Sequence, residues 1–308
     1  MAQISQNKIT GLEEMLPSLA NLAHRAGALS AIGAGAQHAL QLPDGFVVGG
    51  LLAQGTHGTI YAVTRPGDPG QYVLKVFSAN PSPAVMNCML AHAQGFSPAC
   101  SALGYEYRVQ KAFAEDATLG QYVEVPRVHV FVEQGGLCGY VMDRIPGSLQ
   151  VLQLSQPDIL TSDAAGHTLR GINTVAGDRK DLLERVASTF SYAHFKLGRD
   201  LNDCEFALLE GPPRLFLYDF DKCGIFAWEL GKTLKRKHDE ATCEERVIAN
   251  PKKFGRFLAQ AMLSMSMNPS AADLEVFVRY YGAFADGPLQ LEVLQEVVEV
   301  LKMYAGVE

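Results

Sequence analysis

The sequence lacks the long apolar runs and end signals that would tie it to a membrane or an export route. No uninterrupted apolar run approaches the roughly 18–20 residues that cross a bilayer. The start has no basic stretch followed by an apolar core, so we expect no secretion signal, and the last residues, "YAGVE", carry no lipidation signal. We therefore expect a chain without a membrane partner.

Cysteines are few and scattered. The chain has six, at positions 88, 100, 138, 204, 223 and 243, and no two of them have C-x-x-C spacing. No histidine cluster joins them at the spacing that zinc ligands need. This pattern predicts reduced, mostly buried thiols in a cytoplasmic protein.

A basic excess is also missing. Lys and Arg number 26 against 33 Asp and Glu, which gives a net charge of −7 at pH 7. A nucleic-acid partner usually leaves a basic footprint, so this balance argues against one. The 308 residues are 48% hydrophobic and 19% charged, which is typical of a folded globular chain with one large domain or two lobes sharing a core.

The hydrophobic pattern divides the chain into three parts. Residues 1–44 have apolar residues at helical spacing and predict an N-terminal helical extension, which either caps the next part or binds a protein partner. Residues 45–145 predict strands around one helix. Residues 146–308 predict mostly helices: one begins after Asp178 as N-cap, and helical pattern continues from about Phe226. The sequence thus predicts an α+β fold with a small β-rich lobe and a larger helical lobe.

Two closely spaced glycines lie between β-prone residues in "AQGTHGTIYAV". Gly55 and Gly58 flank Thr56 and His57 on a predicted strand–turn–strand. Glycine lets backbone N–H groups approach an anion without a Cβ in the way. The stretch is therefore either a phosphate-holding loop, which His57 could also touch, or a plain β-turn.

A single lysine, Lys75, interrupts the apolar strand "YVLKVF". A buried lysine is costly unless it is paired. Glu106, on the helix predicted to follow, is a candidate partner. The alternative is an edge-strand lysine that faces water.

Two aspartate motifs follow in the second lobe. "GRDLNDCEFALL" places Asp200 in a loop after a helix, and "LFLYDFDKCG" places Asp219 directly after a strand. Each motif alone is a weak signal, because loop and turn aspartates are common. The informative feature is that the glycine loop, Lys75, Glu106, Asp200 and Asp219 occur in this order on these element types.

In this order the motifs resemble the protein-kinase-like superfamily, and especially its aminoglycoside-phosphotransferase-type branch. Those proteins read roughly H-G-D-x-x-x-x-N, then two strands, then D-F-D. A looser resemblance is to an uncharacterised fungal kinase-like family with "ND-x-EF" in its catalytic loop. The resemblance covers about residues 45–225. It implies a bilobal kinase-like fold, ATP and Mg²⁺ as cofactors, and phosphoryl transfer to a hydroxyl, of a small molecule in preference to a protein.

The resemblance also implies a role for each matched residue. Lys75 and Glu106 would hold the α- and β-phosphates of ATP. Asp200 would orient the acceptor hydroxyl and take its proton, and Asp219 would chelate Mg²⁺. The nucleotide would also meet two backbone segments: the glycine loop of Gly55, Thr56, His57 and Gly58, and the hinge of Met142, Asp143 and Arg144.

The chain departs from the family pattern at several positions. Ala53 replaces the first loop glycine, and Gly198 stands where the family usually has histidine. Glu205 occupies the place of the metal-binding asparagine, so it offers Mg²⁺ a charged oxygen instead of a neutral one. These departures keep two alternatives open. One is a pseudokinase that binds a nucleotide or a partner without transfer, and the other is a kinase scaffold used for nucleotidyl or acyl (including aminoacyl) transfer.

Overall fold

The structure is a computed structural model that describes residues 41–55, 58–78, 100–134, 137–147, 149–162, 168–175, 177–209, 213–228, 233–237, 243–247 and 250–307. The helices predicted within residues 1–40 lie outside the described residues, as do Thr56 and His57 of the predicted glycine loop. Residues 41–44 lead through a turn into the first strand.

The first half of the described chain forms a five-stranded antiparallel sheet. Its strands are β1 (Val47–Gly55), β2 (Gly58–Arg65), β3 (Asp68–Ser78), β4 (Val128–Gln134) and β5 (Leu137–Asp143), in the order β1-β2-β3-β5-β4. Alternation of buried and half-exposed residues along β2 shows that one face of this strand packs into a core. That core holds Phe46, Tyr61, Tyr72, Leu74 and Val141.

One helix, α1 (Ser101–Glu115), crosses the other face of this sheet. Leu103 near its start packs with Tyr140 of β5, and Phe113 near its end belongs to the core of the second lobe. The helix therefore connects the two cores. Because α1 packs against both clusters, its apolar residues occur at helical spacing, and Glu106 lies among them.

A disulfide joins Cys100, directly before α1, to Cys138 on β5. The prediction of reduced thiols is therefore wrong for this pair, because the fold brings together two cysteines 38 residues apart. Disulfides persist mainly in oxidising environments, so the pair removes one ground on which a cytoplasmic location was predicted. Cys204 and Cys223 are buried free thiols, as predicted.

The second lobe contains a sheet of its own. Its strands are β6 (Leu149–Gln153), β7 (Leu160–Ser162), β8 (Thr168–Gly171), β9 (Glu205–Leu209) and β10 (Leu215–Tyr218), in the order β10-β9-β6-β8-β7. β6 and β8 run parallel and the other neighbours antiparallel. Of these strands, the sequence predicted only the β9–β10 pair. β7 and β8 are short, with three and four residues, which is too little for a periodic pattern to develop.

Helices form the rest of the second lobe. They are α2 (Arg179–Phe195), α3 (Pro251–Ser264), α4 (Leu274–Tyr281) and α5 (Pro288–Ala305). Asp178 is the N-cap of α2, as predicted, and its carboxylate accepts from the backbone N–H groups of Lys180 and Asp181. α3 packs against α5 and α2 against α4, which encloses a large core centred on Phe190, Leu258 and Val297.

A two-stranded ribbon corrects the helical prediction for residues after Phe226. The strands β11 (Thr233–Lys237) and β12 (Cys243–Val247) pair antiparallel. The register sets Lys235 opposite Glu245 and Arg236 opposite Glu244. Opposite charges at facing positions suit a ribbon as well as they suit a helix with i,i+4 pairs, so the charge pattern alone did not choose between the two.

The prediction of an α+β fold with a β-rich first lobe and a helical second lobe is confirmed. The predicted lobe boundary at 145–146 falls between the end of β5 at Asp143 and the start of β6 at Leu149; the division into three domains stays a prediction. Within the described residues, no helix is both long and apolar enough to cross a bilayer.

Candidate active site

Lys75 lies in the middle of the first sheet. β3 runs between β2 and β5, and Lys75 pairs with Ile60 on one side and Tyr140 on the other. Only 8% of the residue is exposed. The interpretation as an edge-strand lysine facing water is therefore wrong, and the charge of this lysine needs partners inside the protein.

Two carboxylates from different elements supply those partners. Lys75 Nζ donates to Glu106 Oε1 of α1 at 2.6 Å and to Asp219 Oδ1 after β10 at 3.1 Å. Burial alone would lower the pKa of Lys75, but Glu106 and Asp219 raise it well above its usual value, so the ammonium stays charged. A residue of the first lobe is thus tied to a residue of the second.

A network of neutral groups holds Glu106 in place. Tyr140 OH donates to Glu106 Oε1 at 3.0 Å, and the same hydroxyl contacts Gln110 Oε1 at 3.0 Å. Gln110 Nε2 donates to Pro126 O at 2.9 Å and to Met142 Sδ at 3.3 Å. Burial raises the pKa of Tyr140 well above its usual value, so the phenol remains a donor. Sequence patterns gave no sign of Tyr140 or Gln110, because strand tyrosines and helix glutamines are ordinary residues.

Asp219 occupies a strained backbone position at the end of β10. Its φ is 61°, in the left-handed region that residues other than glycine rarely enter. Its side chain is 34% exposed. Oδ1 accepts from Lys75, whereas Oδ2 accepts no hydrogen bond from the described residues. The carboxylate is therefore anchored at one oxygen and open at the other.

Three residues of the loop between α2 and β9 have a left-handed backbone conformation. Gly198, Leu201 and Asp203 have φ values of 60°, 49° and 63°. A Cβ on Gly198 would lie 2.2 Å from Phe226 O, while Phe226 N donates to Gly198 O at 2.9 Å. Glycine at 198 is thus required by the close approach of a second backbone. A histidine at this position would not fit without moving Phe226.

Asp200 is buried at the centre of this loop, with 1% of the residue exposed. Its Oδ1 accepts from Asn202 N at 3.0 Å and from Gly224 N at 2.7 Å. Gly224 follows Asp219 by five residues, so Asp200 fastens the segment that carries Asp219 to its own loop. Asp200 is therefore more buried, and more fully engaged in hydrogen bonds at Oδ1, than we expected for a residue that contacts an acceptor hydroxyl.

His194, near the end of α2, contacts the backbone of the Asp200 loop. Its Nε2 lies 3.3 Å from Asp200 O and its Nδ1 lies 2.8 Å from Tyr281 OH. Burial lowers the pKa of His194 to about 3, so the imidazole is neutral in the folded protein at physiological pH. The sequence showed no partner spacing for His194, because Tyr281 is 87 residues away.

The same loop presents a second aspartate that sequence reasoning missed. Asp203 has a side chain that is 50% exposed and forms an ion pair with Lys222. Desolvation lowers the pKa of Lys222, but Asp203 opposes it and the net shift is upward. Glu205, the predicted metal ligand, begins β9, and its Oε2 accepts from Tyr218 OH. Tyr218, which pairs with Glu205 across the two strands, directly precedes Asp219 in the sequence.

Two backbone N–H groups of the predicted hinge are already engaged within the protein. The backbone N–H of Asp143 donates to Arg127 O at 2.8 Å, and that of Arg144 donates to Gln71 O at 2.9 Å. Neither donor is available to a purine, because β5 remains paired with the sheet to its last residue. Within the described residues, the next backbone N–H groups without an acceptor belong to Ile145 and Gly147, as Pro146 has none.

Whether the predicted magnesium site is plausible depends on which oxygen ligands the described residues offer. The described residues contain no group of three or more His, Cys, Asp and Glu side chains arranged to hold a metal by themselves. Mg²⁺ does not require such a cage, since it commonly binds through one or two carboxylates together with phosphates and water. Asp219, with one open oxygen, fits that description.

Three solved structures are similar to this chain over most of its length. All are kinase domains of PknI from Mycobacterium tuberculosis: a double mutant (17% identity, TM-score 0.42), a single mutant (19%, 0.38) and the unmutated domain (18%, 0.37). They cover 87%, 87% and 86% of this chain, which in turn covers 98%, 100% and 98% of theirs. No family model and no curated protein matches. At these values the likeness carries no functional argument.

Proposed function

We propose that this protein is an ATP- and Mg²⁺-dependent phosphotransferase that acts on a hydroxyl group of a small molecule. The observation that carries the proposal is the position of Lys75 Nζ, 2.6 Å from Glu106 and 3.1 Å from Asp219. A buried ammonium that links the β sheet, its helix and the acidic end of β10 is the arrangement by which kinases hold a polyphosphate next to its metal.

The surplus of carboxylates supports a cationic cofactor. Three aspartates, Asp203, Asp221 and Asp219, act on the charge of one cation, Lys222, and Asp203 forms an ion pair with it. Acidic groups repel a bare triphosphate, and Asp219 would hold a Mg²⁺ ion that would supply positive charge to offset that repulsion. Glu205 is the second proposed ligand, and its hydrogen bond from Tyr218 fixes one of its oxygens.

The nucleotide would be held by groups of the first lobe. Lys75 would contact the α- and β-phosphates, and the turn from Gly55 to Gly58 would cover them with backbone N–H groups. A Cβ on Gly58 would lie 2.9 Å from Val76 O, so glycine lets the start of β2 lie directly against the strand that carries Lys75. The adenine would bind the N–H groups of Ile145 or Gly147 in place of those of Asp143 and Arg144.

Asp200 is proposed as the residue that positions the acceptor. In the transfer, the acceptor oxygen forms a bond to the γ-phosphorus, the bond to the leaving ADP oxygen breaks, and the hydroxyl proton passes to a carboxylate. Asp200 holds the loop through Oδ1, and turnover requires its other oxygen to face the acceptor. Asp203, exposed on the same loop, is the competing proton acceptor.

The experiment compares three matched amide variants. ATP consumption is measured with a panel of hydroxyl acceptors for Asp219→Asn, Asp200→Asn and Asp203→Asn. Asparagine keeps the oxygen that accepts from Gly224 N, so we expect Asp200→Asn to fold normally and lose turnover by about 10²-fold or more. Asp219→Asn should lose as much and also require more Mg²⁺, whereas Asp203→Asn should lose less than tenfold.

The alternatives give different results. If wild-type protein consumes no ATP with any acceptor class but is stabilised thermally by ATP and Mg²⁺, the pseudokinase interpretation replaces this one. If mass spectrometry finds a nucleoside monophosphate or an acyl group on the acceptor, the scaffold performs a different transfer. Wild-type turnover in both Asp200→Asn and Asp219→Asn would exclude the proposed mechanism.

A further inference from the structure

A cavity of about 540 Å³ is lined by residues 143–146 and by the segments packed against them, but by none of Lys75, Glu106, Asp200 and Asp219. Its wall combines the start of β3, the end of α1, the segment before β4, residues 143–146 and β10. Cavities of roughly 300–1,000 Å³ are the usual size of sites for small organic ligands. The volume therefore suits a small molecule.

The floor of the cavity is apolar. It is formed by Phe113, Val123, Val125, Ile145 and Phe216, of which Phe113, Val123 and Phe216 are buried. The floor is also rigid, since Glu124 N donates to Leu215 O and Leu217 N donates to Glu124 O, both at 2.9 Å. A preformed apolar surface of this kind favours the aromatic or aliphatic body of a ligand.

The rim is cationic although the chain as a whole carries a net charge of −7. Three arginines line the cavity: Arg127, Arg144 and Arg214. Arg214 is already engaged in two hydrogen bonds to the carboxylate of Glu124 and lies over the ring of Phe216. Within the described part of the chain, the guanidinium groups of Arg127 and Arg144 have no carboxylate partner.

Two carboxylates, Glu124 and Asp143, line the same cavity, and each has a partner other than these two arginines. Asp143 contacts His129 Nε2 at 2.6 Å, and Glu124 is held by Arg214. Asp68 accepts from Tyr72 OH and from Gly70 N. The side chains that line the cavity include three arginines and the two carboxylates of Glu124 and Asp143, so the lining carries one excess positive charge, and neither Arg127 nor Arg144 forms an ion pair among the described residues. An arginine presents a planar fork of donors that matches a carboxylate or a phosphate.

From the apolar floor and the two unpaired arginines, we propose that this cavity binds a small amphipathic anion. Its ligand has an aromatic or aliphatic body on the floor and one carboxylate or phosphate group between Arg127 and Arg144. Lys75 and Asp219 do not line this cavity, so the proposal rests on the floor and the arginines and not on phosphoryl transfer.

The test uses probes that share one body and differ in charge. Calorimetric titration of the full chain with 2-naphthoate and with 2-naphthyl phosphate covers the two head groups. 2-Naphthamide keeps the body without the charge, and acetate keeps the charge without the body. At least one naphthyl anion should bind with a Kd below about 1 mM, and the amide and acetate should each bind at least about tenfold more weakly.

Variants locate the binding. Arg127→Ala should weaken binding of the naphthyl anion by about tenfold, and Arg127→Ala/Arg144→Ala should abolish measurable binding. Both arginine side chains are exposed, so the substitutions should not impair folding. The matched control Lys252→Ala/Arg279→Ala removes two exposed cations from α3 and α4 and should change Kd less than twofold. Asp219→Asn, in the cleft, should also leave Kd unchanged.

Three results would overturn the proposal. One is that neither naphthyl anion binds below about 1 mM. The second is that the double arginine variant binds as tightly as wild type. The third is that the neutral amide binds as well as the anions, which would leave the arginines without a role in recognition.

Discussion

The two ends of the candidate site are built by different physical means. At the Lys75 end, side chains do the positioning: Lys75, Glu106, Tyr140 and Gln110 form a buried network on the sheet and on α1. At the Asp219 end, backbone conformation positions the carboxylates, because four residues there have positive φ: Gly198, Leu201, Asp203 and Asp219. The comparison teaches that one half of the site is rigid through pairing and the other through strained loop geometry.

Exposure follows the same division. Glu106 and Lys75 are 3% and 8% exposed, whereas the side chains of Asp219 and Asp203 are 34% and 50% exposed. The paired groups at the Lys75 end are kept from water and these two aspartates are open to it, whereas Asp200, on the same loop as Asp203, is buried. Changes at the first end should therefore affect folding most, and changes at the second should affect geometry.

Lys75→Met should give the largest effect on stability. Removing the ammonium leaves Glu106 buried without its counter-charge, so we expect a loss of about 3–5 kcal/mol in the free energy of unfolding. Urea denaturation measures it. The control Lys111→Met removes an exposed lysine 3.9 Å from Glu115 and should cost less than about 0.5 kcal/mol.

The double variant Lys75→Met/Glu106→Gln sharpens this test. It removes both charges, so it should recover part of the loss seen in Lys75→Met. If the two single changes and the double change are simply additive, Lys75 and Glu106 are not coupled, and the first end of the site is not held by pairing.

Removing the disulfide tests how α1 is fastened to the sheet. Cys100→Ala/Cys138→Ala opens a loop between residues 38 apart, so we expect a loss of about 2–4 kcal/mol. Thermal unfolding with and without a reducing agent measures it. The reductant should lower the Tm of wild type and leave the double variant unchanged. Six free thiols in unreduced, unfolded wild-type protein would contradict the bond.

Gly198→Ala tests the backbone-built end. The new Cβ would lie 2.2 Å from Phe226 O, and the alanine would have to adopt a φ of 60°. We therefore expect a loss of about 2–3 kcal/mol in the free energy of unfolding. Gly306→Ala is the matched control, because φ is 68° there and nothing lies within 4 Å of the Cβ; it should cost about 1 kcal/mol. Equal losses measured by urea denaturation would mean that the close approach to Phe226 is unimportant.

The pH dependence of stability tests the support under the Asp200 loop. The pKa of His194 is about 3 in the folded protein and has an ordinary value of 6.5. Between these values the unfolded chain binds the extra proton, so stability is complete above about pH 6.5 and falls as the pH decreases. The contribution is at most about 1.4 kcal/mol per pH unit. Urea denaturation from pH 7 to pH 5 should show a flatter profile for His194→Gln; an unchanged slope would remove His194 as its source.

Sequence patterns predicted several particular elements well. Long periodic stretches gave α1, α2 and α5 because burial of one helix face leaves a 3.6-residue repeat. Lys75 stood out because a lone charge in an apolar strand is costly. Patterns failed for β7 and β8, which are too short to repeat, and for residues 233–247, where alternating blocks of charge fit a helix and a ribbon equally.

The site divides in the same way. Lys75, Glu106, Asp200 and Asp219 could be named because their order along the chain matches a known arrangement. Tyr140, Gln110 and His194 could not be named, since what makes them important is a partner far away in sequence. The hinge at Met142, Asp143 and Arg144 stays a prediction, and nothing in "VMDRIPG" shows that the N–H groups of Asp143 and Arg144 are already bonded within the protein.

By itself the sequence determined the two-lobe α+β division and the identity of four charged residues, because local periodicity and isolated charge are properties of neighbouring residues. Only the tertiary structure decided which of these charges meet, which cysteines join, which backbone donors are already used, and that two arginines border one cavity. Each of those outcomes depends on groups tens to more than a hundred residues apart, such as Lys75 and Asp219, 144 residues apart. Packing brings such groups together, and no short window of sequence records it.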